Sequence, residues 1–475
     1  MWSWKGVDIM NTPDLKKARV RTKEKVKHID ADIIRSNAFN GKKYFIKTYG
    51  CQMNEHDSEL IKNLLEGIGF LSVDSIEEAD LVVLNTCAIR ENAHDKVFGF
   101  LGRCKHEKEK NNPDMIIAVC GCMAQEPSVC EEILNKHKYI DLVFGTHNMH
   151  NLPTYLLNKM DKTDFEVESK EGEVIENLSY TRDSNISAWV NIMYGCDKFC
   201  TYCIVPYTRG KQRSRRSDKI LEEIKTLKKE GYKEITLLGQ NVNAYGKDLD
   251  DEISFAKLLE EAAKTKIDRI RFVTSHPWDF TDEMIDVIAK YDNIMPYIHL
   301  PLQSGSDRIL KKMGRRYTKE EYLTLFNKLK TKIDGASITT DIIVGFPGET
   351  IEDFNDTLDV VDKCKYDGAF TFIYSPRVGT PAAIMTDQID EEEKRNRLHT
   401  LNEKINKYSL ESNKKYLGKT VKVLINGHSD KGKNMYSGYT ESMKLVNVKS
   451  NKDIIGQIVD VKITDAKSFS LDGEL

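Results

Sequence analysis

Apolar stretches alternate with helical patterns along much of the chain and divide it into four parts. Residues 1–41 are polar and rich in Lys and Arg, which predicts a basic flexible arm, although a tail that only aids solubility has the same composition. From 42 to 160, three β-rich segments at 44–48, 81–85 and 115–119 are separated by helical patterns. Strands that alternate with helices predict a parallel α/β sheet.

Residues 182–414 repeat this alternation on a larger scale. Helical patterns separate most of six strand-like segments, at 189–194, 234–238, 270–274, 297–300, 339–344 and 369–374. Six β–α units in one domain predict a partial barrel of the TIM type, with the active site at the carboxyl ends of the strands. The highly charged stretch 391–415 predicts the last helix of this domain.

Residues 415–475 have a different pattern. Short alternating stretches at 421–425, 445–448 and 458–463 are divided by Gly and Asn. This pattern predicts a small antiparallel β-barrel. The complete chain is therefore expected to be an α/β protein that carries one additional all-β domain.

Composition narrows the classes of function. The chain has 475 residues, of which 40% are hydrophobic and 31% charged, as in a globular protein of two or three domains. It contains no apolar run of membrane-spanning length and no signal-peptide pattern, so we expect a cytoplasmic protein without membrane contact. Because the formal net charge is only −3, a nucleic-acid partner must be argued from local basic patches.

Cysteine spacing gives the strongest chemical signal. The chain has ten cysteines, and clustered cysteines in a reducing compartment indicate metal binding or catalysis. Cys196, Cys200 and Cys203 form a C-x3-C-x2-C loop after the first predicted strand of the barrel. Three thiolates can hold three irons of a cubane cluster and leave the fourth iron open. A zinc site with a distant fourth ligand is the alternative.

A second set of cysteines is dispersed along the first domain. Cys51, Cys87 and Cys122 each follow one of its three predicted strands. Parallel strands end at the same edge of a sheet, so these cysteines can converge on a second cluster. Cys120 ends a strand and is assigned to packing, as are the three cysteines in helical patterns, Cys104, Cys130 and Cys364.

The cysteine loop, with Tyr202 before its last cysteine, resembles the signature of the radical-SAM superfamily. From Lys42 onward the chain resembles the methylthiotransferases of that superfamily, in particular the tRNA-modifying MiaB branch. The matching motifs are TYGCQMN (48–54), NTCAIRENA (85–93), YTRG (207–210), HLPLQSGS (299–306) and IVGFPGE (343–349). The segment before Lys42 carries none of them.

This resemblance implies an iron–sulfur domain, a radical-SAM core and a C-terminal TRAM domain that binds RNA. It implies two 4Fe–4S clusters, the auxiliary one on Cys51, Cys87 and Cys122, and two molecules of S-adenosylmethionine (SAM), one as methyl donor and one as source of the 5′-deoxyadenosyl radical. The implied substrate is isopentenyl-adenosine at tRNA position 37, in the anticodon stem-loop. A reductase or flavodoxin-type protein would donate electrons, whereas the sulfur donor is not indicated.

Three alternatives remain at this point. Related enzymes methylthiolate threonylcarbamoyl-adenosine in tRNA or an aspartate of a ribosomal protein, and Gln52-Met53 favours the isopentenyl branch. A cluster carrier or RNA-binding protein without turnover is the third, and the open iron of the predicted cluster argues against it.

Candidate SAM contacts lie where later strands of the barrel end. The resemblance places Tyr202 and Gly345 near the adenine, and polar residues at strand ends are further candidates: Gln240, Asn241, Gln303 and Ser304. A role in stabilising turns competes for each. Asp341, on the strand predicted at 339–344, is assigned no role.

A basic run directly follows the cysteine loop and is the candidate RNA contact. Basic side chains beside the active site could bind phosphates, although a solvated helix face is the alternative. The run comprises Arg209, Lys211, Arg213, Arg215 and Arg216.

Overall fold

The computed structural model describes residues 26–31, 33–88, 91–158, 164–167 and 173–475. Most of the predicted arm at 1–41 lies outside these residues. In its described part, the strand His28–Asp30 pairs in parallel with Val174–Glu176, and the ring of Phe39 stacks on Phe70 at 4.6 Å. The prediction of a flexible arm is therefore wrong for this part, which packs on the first domain.

Strands and helices of the described residues are numbered here in chain order. The strands are β1 (His28–Asp30), β2 (Lys43–Tyr49), β3 (Leu71–Ser72), β4 (Leu81–Thr86), β5 (Ile116–Gly121), β6 (Leu142–Phe144), β7 (Asp164–Glu166), β8 (Val174–Glu176), β9 (Ser187–Asn191), β10 (Met193–Tyr194), β11 (Arg213–Ser214), β12 (Glu234–Leu238), β13 (Arg269–Phe272), β14 (Tyr297–His299), β15 (Ser337–Val344), β16 (Gly368–Ile373), β17 (Thr420–His428), β18 (Met435–Thr440), β19 (Leu445–Lys449), β20 (Ile458–Ala466) and β21 (Leu471–Glu474). The helices are α1 (Gln52–Gly67), α2 (Glu91–Lys110), α3 (Pro127–Lys136), α4 (Leu152–Leu157), α5 (Val205–Thr208), α6 (Ser217–Lys229), α7 (Phe255–Lys264), α8 (Asp282–Lys290), α9 (Asp307–Lys312), α10 (Lys319–Lys332), α11 (Ile351–Cys364) and α12 (Glu391–Lys414).

The first domain is a six-stranded parallel sheet in the order β3-β2-β4-β5-β6-β7. The three predicted strands are its neighbours β2, β4 and β5. Leu81 and Val83 pack into the core on one face of β4, while Val82 and Leu84 pack into the core on the other. Burial on both faces explains the continuous apolar run of this strand. Strands β3, β6 and β7, which the pattern did not predict, have only two or three residues each.

The second domain contains the six predicted barrel strands, all parallel within two three-stranded sheets, β13-β12-β9 and β14-β15-β16. One hydrophobic core joins the two sheets, since Val190 and Ile235 of the first sheet belong to the same buried cluster as Ile298 and Ile342 of the second. The predicted partial barrel is confirmed. The predicted last helix is α12, which packs on β16.

The C-terminal domain is a closed five-stranded barrel in the order β17-β18-β19-β21-β20. Four of its strand pairs are antiparallel, whereas β19 and β21 are parallel. The predicted small barrel is confirmed, and β19–β21 is a parallel pair within it. No helix in the described ranges is long and apolar enough to cross a membrane.

Two buried arginines fix the small barrel to the second domain. Arg269 donates hydrogen bonds to the carbonyls of Tyr439 and Lys422, at 2.8 and 3.1 Å. Arg271 donates to the carbonyl of Thr440 at 2.8 Å and pairs with a carboxylate on β12. Both arginines lie on β13, with Arg269 at its amino end, so the small barrel is held at the end of the sheet opposite the predicted active site.

Arg269→Met tests this attachment, because it keeps an apolar stem and removes the donors to two carbonyls. Hydrogen bonds to charged groups contribute about 1.5–3 kcal/mol each, so the loss of two should lower the free energy of unfolding of the C-terminal barrel by about 3–6 kcal/mol. Hydrogen exchange of the β17 and β18 amides measures it. Lys233→Ala, which removes an exposed ion pair with Asp268, is the control and should change stability by less than about 1 kcal/mol. Equal protection of these amides from exchange in the two variants would contradict the role of Arg269 in holding the barrel.

Candidate functional site

The first cysteine set lies where three adjacent strands end. Cys51 caps the amino end of α1 just after β2, Cys87 follows β4 and Cys122 follows β5. The three strands are parallel neighbours, so the loops after them share one edge of the sheet. A hydrogen bond between Cys51 and Cys87 lowers the pKa of Cys51 to about 5, and the charge of Arg209 adds to the shift against the effect of burial.

A buried polar network fixes these loops. Asn54 accepts the Cys51 backbone N–H at 3.4 Å and donates to Asn85 Oδ1 at 3.0 Å and to the Thr86 carbonyl at 3.1 Å. Asn85 in turn donates to Ser58 Oγ at 2.9 Å. A network whose members satisfy each other in a buried setting is rigid. It therefore holds two of the three cysteines at set positions.

A glycine with a left-handed φ precedes one cysteine of each set and permits a close backbone approach. Gly121, before Cys122, has φ 93°, and a Cβ there would lie 2.3 Å from the Thr86 carbonyl oxygen. Gly195, before Cys196, has φ 70°, and a Cβ would lie 2.1 Å from the Lys211 carbonyl oxygen. Any larger residue would push the cysteine loop away from its neighbour.

The second cysteine set lies on the loop after β10. The Cys196 N–H donates to the Gly210 carbonyl at 3.2 Å, and the Cys203 N–H donates to the Cys200 carbonyl at 3.0 Å. Phe199 adopts a left-handed φ of 47°, a strained conformation for a bulky residue and one that clusters at functional sites. Burial, followed by the charge of Cys200, raises the pKa of Cys203 to about 12, so its thiolate needs a nearby cation.

Contacts between the two domains bring the two cysteine sets close to each other. Cys122 packs with Ala88 and Ile204, and Ile204 directly follows Cys203. Arg209 Nε donates to Cys122 Sγ at 3.1 Å, and Arg209 Nη2 pairs with Asp57 Oδ2 at 2.6 Å. Both members of this ion pair are buried. Arg209 therefore connects the loop of the second set to a cysteine of the first set and to α1.

Each set offers three sulfur donors, which suits iron–sulfur clusters. In the described part of the chain, no three His, Cys, Asp or Glu side chains are placed to hold a single metal ion. Three cysteine thiolates can hold three irons of one cubane cluster. The residues present fit two clusters, each with one iron left without a cysteine.

Unsatisfied amide oxygens lie where strands of the barrel end. Gln240 Oε1, Asn241 Oδ1 and Gln303 Oε1 are buried and have no hydrogen-bond partner among the described residues. The side-chain nitrogen of Asn241 is held in place, because Nδ2 donates a hydrogen bond to Asp279 Oδ2 at 2.8 Å. Buried polar atoms normally have partners, so these oxygens fit a ligand that carries N–H or O–H donors, as SAM does.

The other three SAM candidates, Ser304, Gly345 and Tyr202, make contacts within the protein. Ser304 Oγ accepts the Ser306 N–H at 3.3 Å, which stabilises the turn before α9. A Cβ on Gly345 would lie 2.3 Å from Lys394 Cγ, so the close approach at this glycine is to a side chain of α12. Tyr202 lies edge-on to Phe346, with ring centroids 6.4 Å apart, and stays partly exposed.

The basic run is largely internal, which corrects the RNA contacts expected there. Arg209, Arg213 and Arg215 are buried. Arg215 pairs with Glu176 and Glu223, at 2.9 and 2.8 Å, and Arg213 donates to the Arg209 carbonyl at 3.1 Å. Side chains placed in this way tie elements of the protein together and are withdrawn from phosphate groups.

The other two members of the run are accessible. Lys211 and Arg216 stay partly exposed, and Arg216 is 3.8 Å from Glu252.

Two residues of the site were not predicted from the sequence. Arg315 is buried, with Nη1 3.7 Å from Cys200 Sγ, and Asp57 is the partner of Arg209. Arg315 follows a short helix and belongs to none of the motifs. Asp57 lies on α1, six residues after Cys51. The only sequence signal for it was a charged residue at a helix position that is buried.

Comparison with family models gives three matches, in the same order as the predicted domains. Residues 43–145 match the "Uncharacterized protein family UPF0004", residues 190–361 match the radical SAM superfamily, and residues 414–475 match the TRAM domain.

Structural similarity extends over most of the chain at low sequence identity. The radical S-adenosylmethionine methyltransferase TsrM from Kitasatospora setae aligns over 72% of this chain and 74% of its own, with a TM-score of 0.54 and 14% identity. The cobalamin-dependent S-adenosylmethionine radical enzyme OxsB covers 77% of this chain and 56% of its own, with a TM-score of 0.50 and 13% identity. At these identities the similarity supports the fold alone.

Sequence relatives are far closer. A protein of Bacillus cytotoxicus named tRNA-2-methylthio-N(6)-dimethylallyladenosine synthase is 54% identical over 98% of this chain and 93% of its own length. A relative of the same name from Oceanobacillus iheyensis is 54% identical over 97% and 90%. Such coverage extends into the segment before Lys42, which the motifs had left out. The chain belongs to the family of tRNA-2-methylthio-N(6)-dimethylallyladenosine synthases within the radical SAM superfamily.

Proposed function

We propose that this protein is a transferase that converts N(6)-dimethylallyladenosine (isopentenyl-adenosine) in tRNA to its 2-methylthio derivative. The observation that carries the proposal is 54% identity to synthases of that name over 98% of the chain. We assign the target to position 37, in the anticodon stem-loop. This base must leave its stack to reach a buried site.

The two cysteine sets would hold one 4Fe–4S cluster each. The cluster of the radical-SAM core would be held by Cys196, Cys200 and Cys203, and an auxiliary cluster would be held by Cys51, Cys87 and Cys122. When bound, the two clusters and two SAM molecules supply the electron, radical, methyl and sulfur chemistry. Such chemistry suits carbon 2 of adenine, whose hydrogen is not acidic enough for removal by a side-chain base.

The chain itself positions these groups. Gln240, Asn241 and Gln303 have unsatisfied oxygens available to accept hydrogen bonds from SAM. Arg209 and Arg315 each direct a guanidinium group at a cysteine sulfur, one in each set. Hydrogen bonds to ligand sulfurs stabilise negative charge and influence cluster potential. The packing of Cys122 on Ile204 excludes water between the loops.

RNA would be bound by accessible basic side chains and by the small barrel. Lys211 and Arg216 remain partly exposed beside the cysteine loop, and Lys419, Lys422 and Lys462 are exposed on the C-terminal barrel. Contacts of this type with phosphates orient the RNA without reading its sequence. We assign the protein to the cytosol, where it would meet tRNA and a reductase or flavodoxin-type electron donor.

Deletion of the gene tests the substrate. We expect the 2-methylthio-isopentenyl nucleoside to disappear from total tRNA and its unthiolated precursor to accumulate, as measured by mass spectrometry of digested tRNA. Re-expression of the wild-type chain should restore the nucleoside, whereas Cys196→Ala should not. Loss of the methylthio group from threonylcarbamoyl-adenosine would contradict the assignment, and unchanged tRNA would point to a protein substrate.

Removal of each cysteine set tests the number of clusters. Replacing Cys51, Cys87 and Cys122 together by Ala should halve the bound iron and acid-labile sulfide, because the other set keeps its ligands. The corresponding change of Cys196, Cys200 and Cys203 should remove the other half. Cys364→Ala is the matched control: this cysteine is buried in the barrel core and should not affect iron content. Full iron content in either triple variant would refute the two-cluster arrangement.

A further inference from the structure

Two phenylalanine side chains on a strand of the partial barrel are accessible to solvent, although they face the barrel interior. Phe370 and Phe372 on β16 expose 56% and 48% of their surfaces. Their neighbours Ala369 and Ile373 pack against the main core, and Thr371 hydrogen-bonds to a residue of α12 at 2.6 Å. Because side chains alternate between the two faces of a strand, the two phenylalanines face away from the helix layer and toward the barrel interior.

Polar groups lie on the same face. In the register of the parallel strands, Asp341 lies opposite Phe370 and Ile343 lies opposite Phe372. Asp341 Oδ2 is 3.3 Å from His299 Nε2, and the His299 ring lies edge-on to Phe370, with centroids 5.9 Å apart. A carboxylate, an imidazole and two aromatic rings therefore form one patch. We call Phe370, Phe372, Asp341 and His299 the base platform.

The base platform leads to the second cysteine set. Ile343, beside Phe372, packs with the small apolar cluster that includes Tyr202 and Phe346. Tyr202 directly precedes Cys203. Strand β16 forms the edge of its sheet and pairs only with β15 among the described strands, so the platform is reached from the side of the partial barrel. A base that entered there would lie against the wall that continues to the cysteine loop.

The chemistry of the base platform matches a purine with an apolar substituent. Aromatic rings stack on any base, and an apolar dimethylallyl chain is favoured against the same rings. N6 of dimethylallyladenosine keeps one N–H, which a carboxylate can accept. A threonylcarbamoyl substituent instead carries a carboxylate, which Asp341 would repel and which the phenylalanine rings would desolvate.

We propose that the base platform binds the target adenine and selects its dimethylallyl group, with Phe370 and Phe372 in stacking contact and Asp341 as acceptor for the N6–H. The assignment rests on the proposed tRNA function and names the residues by which that site selects its substrate. His299 positions the Asp341 carboxylate.

Two synthetic anticodon stem-loop RNAs test the base platform with the iron-loaded enzyme. They differ only in carrying dimethylallyladenosine or unmodified adenosine at the target position. Dissociation constants come from fluorescence anisotropy, and kcat and KM come from turnover of the dimethylallyl RNA. We expect the wild-type enzyme to bind the dimethylallyl RNA more tightly. Changing both Phe370 and Phe372 to Ala should raise its KM about tenfold or more and remove the difference in affinity.

A single substitution tests the polar contact. Asp341→Asn keeps the size of the side chain but replaces a charged acceptor by a neutral one, and charge-assisted hydrogen bonds are about twice as strong. We expect a several-fold increase in KM for the dimethylallyl RNA and a similar loss of affinity for the unmodified RNA, because the amino group of unmodified adenosine also carries an N6–H. An unchanged KM and unchanged affinity for both RNAs would contradict the role of Asp341 as acceptor for the N6–H.

Controls separate the base platform from general RNA binding and from folding. Phe469→Ala removes another exposed aromatic ring, on the C-terminal barrel, and should leave the ratio of the two affinities unchanged. Iron content verifies that each variant is folded. If the double variant keeps the wild-type preference while the wild-type enzyme modifies the RNA, the platform is refuted and the tRNA function stands. If the wild-type enzyme leaves the dimethylallyl RNA unmodified, both are refuted.

Discussion

The contact between the strand ends of two different sheets is the constraint on which the site depends. Cys122 of the first sheet packs on Ile204 of the barrel loop, and the buried Arg209 binds both Cys122 and Asp57. Breaking a buried ion pair by removal of one partner costs several kcal/mol, about 3–5 in measured cases. Separation of the two domains at this point would break the ion pair between Arg209 and Asp57 and expose the contact between Cys122 and Ile204 to water, so these contacts keep the two cysteine sets close together.

The ends of the partial barrel are used for different purposes. At the carboxyl ends of its strands lie the cysteine loop and the unsatisfied oxygens of Gln240 and Gln303. At the amino end of β13, Arg269 holds the small barrel. The edge strand β16 leaves the side of the barrel open, with Phe370 exposed toward the interior. A base that enters from the side would thus meet the cofactor end while the RNA body remains outside.

The pattern along the chain predicts most of the fold, because regular strands and parallel-sheet rules act locally. The convergence of Cys51, Cys87 and Cys122 followed from strand ends alone. Burial of Arg209 and Arg215 did not, because a charged side chain looks the same in sequence whether it faces RNA or pairs with a carboxylate far along the chain, as Arg215 does with Glu176. Short edge strands such as β3 and the parallel pairing of β21 also depend on tertiary contacts that no local pattern encodes.

The fate of the hydrogen at carbon 2 of the target adenine tests the proposed radical reaction most directly. A stem-loop RNA with dimethylallyladenosine deuterated at that carbon is incubated anaerobically with the iron-loaded enzyme, SAM and a reductant. We expect deuterium in the 5′-deoxyadenosine that is formed and a methylthio group at carbon 2 of the RNA. Formation of 5′-deoxyadenosine without deuterium, with the label retained in the RNA, would contradict it.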